Sequence, residues 1–269
     1  MKNLLACLVL IIFLFSCNNN ASVNHAETED SAQELLTSLQ ESIKKNPKDT
    51  SLKYEYIQAL EDAGKYKDAI TILDSLNKND DPDPKALLNY LYKRADLLLK
   101  TGDTVKSIKT LELFVIPGEV TEAGKLLASL YAETKNPKAL ILGEAMIRND
   151  ASGKDPEPNY FNGAFFYNIG DYENALKEFN KCIQRDYTFL DAYMEKGRIL
   201  YKQNKFKEAM DVYDMAIKVS NTFADAHYWK GKCQEALGQK EDAKISYQRA
   251  YAFDNTLTEA KEAADRIIN

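Results

Sequence analysis

The feature that most constrains this chain is a pattern that returns at steps of 34 residues between positions 156 and 255. Three copies read PEPNYFNGAFFYNIGDYENALKEFNKCIQRDYTF, LDAYMEKGRILYKQNKFKEAMDVYDMAIKVSNTF and ADAHYWKGKCQEALGQKEDAKISYQRAYAFDNTL. Gly163, Gly197 and Gly231 share one position, and Ala175, Ala209 and Ala243 another. Phe179, Tyr213 and Tyr247 share a third, and Cys182, Ala216 and Ala250 a fourth. A residue with little side chain lets two helices approach closely. An aromatic four residues after the Ala lies on the same helix face and fills the space beside it. Between the apolar stretches fall Gly170-Asp171, Asn204-Lys205 and Gly238-Gln239, where Gly and Asn tolerate the left-handed conformation that ends a helix. Each copy therefore predicts helix, tight turn, helix. One such pair cannot bury its apolar face alone, so neighbouring copies must stack.

This register resembles the tetratricopeptide repeat, whose signature places a Gly in the first helix and an Ala, a large aromatic and a second small residue in the second. The resemblance implies an all-α fold, a right-handed α-solenoid of antiparallel helix pairs. Two departures stand out: the opening aromatic is Asn159, Tyr193 or His227, and the closing Pro is Tyr187, Asn221 or Asn255. Residues 256–269 read as a capping helix whose polar outer face seals the array. Upstream, residues 31–149 read as degenerate copies. Ser31 with Glu34 forms a capping box before Leu35, Leu36, Leu39 and Ile43, and Pro47 closes that helix. Residues 50–76 give a recognisable repeat with its turn at Gly64, its small residue at Ala69 and Leu73 in place of the aromatic. NKNDDPDP at 77–84 reads as a linker. Residues 85–116 follow the theme with Ala95, Gly102 and Ser107 until Pro117, and 119–149 predict two more helices turning at Asn136-Pro137. Residues 150–155 read as a joint between the two halves.

The first seventeen residues read as a targeting segment, with Lys2 as the positive flank and Leu4 to Phe15 as the apolar run. Twelve helical residues would span about 18 Å, short of the ~30 Å hydrocarbon core, which argues against a membrane-spanning helix. Leu14-Phe15-Ser16-Cys17 resembles the bacterial lipobox. That resemblance implies lipidation of Cys17, with several acyl chains that together anchor stably. Residues 18–30, polar apart from Val23, read as a disordered tether. The position after Cys17 is not Asp, which by resemblance to the sorting rule favours the outer membrane, and no acidic cluster close to Cys17 marks export to the cell surface, which leaves the periplasmic face.

A net charge of −6 and a pI near 5.2, without a Lys/Arg stripe, argue against nucleic acid as a partner. Enzyme chemistry is poorly supplied. There are two His in the chain, and His227 falls at a packing position. HExxH, CxxC and GxSxG are all missing, so neither a metal, a cofactor nor a catalytic residue is expected. Gly118 to Leu126 (GEVTEAGKL) has the wrong spacing for a phosphate loop and reads as a helix start. Cys182 and Cys233 fall two repeats apart, beyond the reach of a disulfide, and are expected as free thiols.

What remains is the inner wall made by the first helices, where tetratricopeptide-repeat proteins generally hold peptides. The family's groove positions, carried onto this sequence, are Tyr160, Ala164 and Tyr167, then Asp191, Met194, Arg198 and Tyr201, then Asp225, Tyr228, Lys232 and Glu235. A clamp for a C-terminal carboxylate needs Lys-x-x-x-Asn and Lys-x-x-x-Arg, whereas this chain has Tyr160-x-x-x-Ala164 and Met194-x-x-x-Arg198. The resemblance thus implies a lipid-anchored scaffold that binds another protein or peptide. The alternative is a glycan- or solute-binding lipoprotein that uses aromatic platforms. Changing Cys17→Ala is expected to move the protein out of the membrane fraction. Retention of the variant through high-salt and carbonate washes, after signal processing, would contradict the anchor.

Overall fold

The computed structural model describes residues 24–76 and 84–267, all helical or connecting. The targeting segment with Cys17, the start of the tether and linker residues 77–83 lie outside the described residues. The chain divides into two compact units, the first up to Pro82 and the second from Asp83.

The first unit packs α1 (Asn24–Lys45), α2 (Thr50–Asp62) and α3 (Tyr66–Leu76). Helix α1 begins seven residues before Ser31, so residues 24–30 are helical where the sequence reading placed a disordered tether. Ala26, Glu27 and Glu29 are adequate helix formers in a segment continuous with an amphipathic helix, and a capping box does not force a start where helix can continue upstream. Asp49 caps α2 by accepting from the amides of Ser51 and Leu52 at 2.9 and 3.2 Å. Ile57, Leu60, Ala69 and Leu73 are buried between α2 and α3, and the Gln40 amide donates to the Tyr56 hydroxyl at 2.8 Å.

The second unit runs through α4 (Pro84–Lys100), α5 (Thr104–Leu111), α6 (Glu122–Glu133) and α7 (Lys138–Asn149). The three regular copies follow as α8 (Glu157–Ile169) with α9 (Tyr172–Arg185), α10 (Leu190–Lys202) with α11 (Phe206–Val219), and α12 (Ala224–Ala236) with α13 (Lys240–Phe253). Helix α14 (Thr258–Arg266) closes the array, burying Ala260, Ala263 and Ala264, the latter two in a cluster with Tyr247. The architecture is an all-α solenoid of paired antiparallel helices with a terminal cap.

Helix α5 is shorter than the sequence reading, ending at Leu111 rather than running to 116. Phe114 and Val115 turn back onto the apolar cluster built around Leu111, Leu127 and Tyr131, so tertiary burial ends the helix before Pro117 can. Ser107 substitutes for the small residue of the pattern: it is fully buried, and its hydroxyl donates to the Ala95 carbonyl at 2.8 Å. The 150–155 loop lies within this unit and is tied down. Asp150 accepts from the amides of Ser152 and Asp155 and pairs with Arg185 at 3.3 Å.

Within each regular copy, the aromatic of the second helix lies over the Gly of the first. A β-carbon at Gly163 would meet the Phe179 ring at 2.7 Å, one at Gly231 the Tyr247 ring at 2.8 Å, and one at Gly197 would press into the Tyr213 ring more closely still. All three rings are essentially inaccessible to solvent. The turns repeat as well: Gly170, Asn204 and Gly238 have φ of 87°, 60° and 77°, and Lys135 takes the same left-handed conformation at 58°. The two departures from the family pattern compensate one another. The Tyr193 hydroxyl donates to the Tyr187 carbonyl at 3.0 Å, and His227 Nε2 lies 3.0 Å from the Asn221 carbonyl. The polar tip at the opening position thus ties down the turn that Pro would otherwise stiffen.

Gly197→Ala sets two effects against each other. Alanine favours helix by roughly 0.5–1 kcal/mol, whereas overpacking a filled core costs about 1–3 kcal/mol. With the Tyr213 ring unable to retreat, overpacking is expected to win. The denaturant midpoint should fall for Gly197→Ala and stay unchanged for Gln203→Ala, an exposed site on the same repeat; equal midpoints would contradict the close approach.

Candidate functional site

Helices α8, α10 and α12 are the first helices of successive copies, and their side chains meet across the gaps between them. The Lys202 ammonium donates to the Tyr167 hydroxyl, lies 4.4 Å from that ring's centre, and so links α10 to α8. Tyr201 and Arg198 of α10 reach Trp229 of α12, with a ring-centre separation of 5.6 Å for Tyr201 and the guanidinium 5.5 Å from the indole. Glu235 accepts from Tyr247 at 2.8 Å and from Arg266 at 2.7 and 2.9 Å, which joins the wall to the capping helix.

The residues named from sequence fall into four groups. Tyr167, Arg198, Tyr201, Tyr228, Lys232 and Glu235 are partly accessible and joined by the contacts just described or by ring contacts. Asp191 and Asp225 are exposed at the starts of α10 and α12. Tyr160 is half-buried among Phe161, Phe179 and Phe189, and Ala164 packs on the cluster shared with α6. Met194 is a correction: it is only 4% exposed and belongs to the core with Tyr193 and Leu200. An apolar, flexible side chain at that position gains more by filling the gap between helices than by facing solvent.

Three wall residues escaped the sequence reading: Glu195, Lys202 and Trp229. Glu195 pairs with Arg198 at 2.5 Å, and Trp229 sits under Lys232 at 4.6 Å. Helical spacing was the available signal, since Glu195 precedes Arg198 by three, Lys202 follows it by four, and Trp229 precedes Lys232 by three. Lys232 is also 5.6 Å from the Tyr228 ring and 5.7 Å from Tyr201, so three aromatics surround its ammonium.

Electrostatically, the wall holds three carboxyls that burial disfavours as anions. Burial pushes the carboxyls of Asp191, Glu195 and Asp225 above their usual range, and Arg198 only partly offsets this in each case. Asp191 and Asp225 touch solvent, yet protein lies close on the inward side and limits their hydration. Burial also raises the Tyr160 phenol, with the charges of Glu195 and Asp191 adding to the effect. The other reactive side chains are inert packing. Cys182 and Cys233 are free and buried, with thiols pushed up to about 12, chiefly by burial. His227 is buried against Phe253. Among the described residues, no group of three or more His, Cys, Asp or Glu could hold a metal ion.

Comparison with known families agrees with this geometry. Models described as tetratricopeptide repeat match residues 29–89, 163–189 and 225–252, and one described as TPR repeat matches 197–238. The chain is a tetratricopeptide-repeat protein. A crystallised tetratricopeptide repeat protein from Parabacteroides merdae is similar at 18% identity with a TM-score of 0.63, covering 90% of this chain and 94% of that one. The APC/C hetero-tetramer Cut9–Hcn1 is similar at 12% identity and a TM-score of 0.51, covering 88% of this chain and 53% of that one. These likenesses concern the fold. No curated protein matches the sequence.

Because burial raises the Asp225 carboxyl, the folded state binds its proton more readily than the unfolded chain does. Stability contributed at this site therefore falls as pH rises through the raised value. Asp225→Asn is expected to raise the melting temperature at pH 7, and the advantage should shrink as pH drops toward the ordinary carboxyl value of 3.8. A variant that melts lower at pH 7, or whose difference from wild type ignores pH, would contradict a carboxylate held at a cost.

Proposed function

We propose that this protein is a non-enzymatic scaffold, lipid-anchored through Cys17 on the periplasmic side of the outer membrane, that holds a segment of another protein along the wall formed by α8, α10 and α12. The observation that carries the binding reading is the wall itself. Three successive first helices set Tyr167, Tyr201, Tyr228 and Trp229 beside charges of both signs, a mixed surface that suits a peptide better than a uniformly charged ligand. The anchor rests on the Leu14-to-Cys17 sequence, and its location on the residues that follow Cys17. Among the described residues, no helix is long and apolar enough to cross a membrane.

Glycan binding is the weaker reading, because sugar stacking needs a free aromatic face. Lys232 and Arg198 lie over Trp229, and Lys202 lies over Tyr167. These rings are already engaged by the chain's own cations.

Tyrosine anchors at a binding hot spot cost upward of about 2 kcal/mol each when truncated, so Tyr201→Ala with Tyr228→Ala is expected to weaken capture of the partner by about 100-fold or more. The measurement is cross-linking and pull-down from native membranes, with thermal melting as the control for folding. Lys218→Ala with Lys244→Ala, on the second helices, should leave capture intact. Undiminished capture by a folded tyrosine variant would move the binding surface elsewhere.

A further inference from the structure

We propose that the wall between α10 and α12 receives a cationic side chain, a lysine or arginine, from the peptide segment it holds; this rests on the reading of the wall as a protein-binding surface. Asp191 and Asp225 occupy the same position in successive copies, 34 residues apart. Among the described residues neither has a hydrogen-bond or ion-pair partner, although both feel the charge of Arg198. Glu195 lies in the same field, and Arg198 is already committed to it at 2.5 Å. Arg198, with Lys202 beyond it, is thus set against Glu195 first, and Asp191 and Asp225 are left without a direct counter-ion between α10 and α12. Such a surplus, limited in hydration, is the complement of a desolvated cation.

An independent observation points the same way. The Tyr213 hydroxyl is fully buried and has no hydrogen-bond partner, in contrast to the Tyr247 hydroxyl one copy later, which donates to Glu235. Its ring passes beneath Gly197 and stacks near Trp229 at 6.2 Å, and its hydroxyl lies 2.8 Å from where a β-carbon on Gly197, the residue before Arg198, would sit. An orphan hydroxyl in the floor of an acidic cluster is an additional acceptor for an N–H donor that displaces Arg198 from Glu195. The Tyr160 phenol also feels the charges of Glu195 and Asp191. A guanidinium or ammonium would thus find two carboxylates without a direct counter-ion and a hydroxyl oxygen without a donor. A carboxylate ligand would meet repulsion there.

The chain carries a reporter at this spot, since Trp229 is its only tryptophan. The test is titration of Trp229 fluorescence in the full chain with tetra-arginine and, separately, tetra-glutamate. Tetra-arginine is expected to give a saturable change that weakens by about tenfold or more in the Asp191→Asn, Asp225→Asn variant. Asp211→Asn with Asp242→Asn, which removes equal charge from the second helices, should leave the affinity unchanged, separating a site from the general attraction of an acidic protein. Binding of tetra-glutamate, no saturable response to tetra-arginine, or equal weakening by both variants would each overturn the proposal. Its failure is distinguishable from failure of the scaffold reading: in that case partner capture would still depend on Tyr201 and Tyr228 while ignoring Asp191 and Asp225.

Discussion

Each regular copy in this protein depends on one contact, the aromatic ring of the second helix lying over the glycine of the first. At Gly163, Gly197 and Gly231 the missing side chain is the space that Phe179, Tyr213 and Tyr247 occupy. Because the ring is large and the opposing surface is bare backbone, the two helices have one close approach and hence one relative placement. The fully buried Ala175, Ala209 and Ala243 carry the same logic one turn earlier. Everything that follows, from the turn geometry to the spacing of the wall, inherits its regularity from this repeated fit.

The copies are alike in backbone and different in what they expose. Where the first has Phe179, the second has Tyr213 with an unsatisfied hydroxyl and the third has Tyr247 bonded to Glu235. One added oxygen turns an apolar plug into a polar floor beneath the wall. Desolvation of Asp191, Glu195 and Asp225 is likewise an effect of stacking, since single helices in water would leave these groups hydrated. The wall holds these charges at some expense to stability.

Stiffness is distributed by the same small devices. Tyr193 and His227 hold the turns before their helices through carbonyls six residues back, while Lys125, paired with Asp155 and Glu157, and Arg185, paired with Asp150, fasten the loop ahead of α8. That loop had the composition of a joint, and its Asp, Ser and Gly are also the residues that build hydrogen-bonded turns. Charged partners supplied by α6 and α9 decided between the two.

The sequence by itself determined the helix pairs, because a 34-residue recurrence of Gly, Ala and aromatic positions has one economical reading, and α8 to α14 begin and end close to where the turn residues place them. It also assigned the first-helix residues to a face, since helical register carries position 160 or 198 to one side of its helix without further information. Tertiary structure alone decided what each wall residue does. Met194 turned into the core because a gap between helices was there to fill. Trp229 became the centre of the wall because Arg198, Tyr201 and Lys232 reach it from different turns and from a neighbouring copy. The short α5 and the upstream start of α1 belong to the same class. Local pattern fixes which face a residue is on, but which neighbour it meets depends on packing between helices distant in the chain, and no periodicity within one helix encodes that.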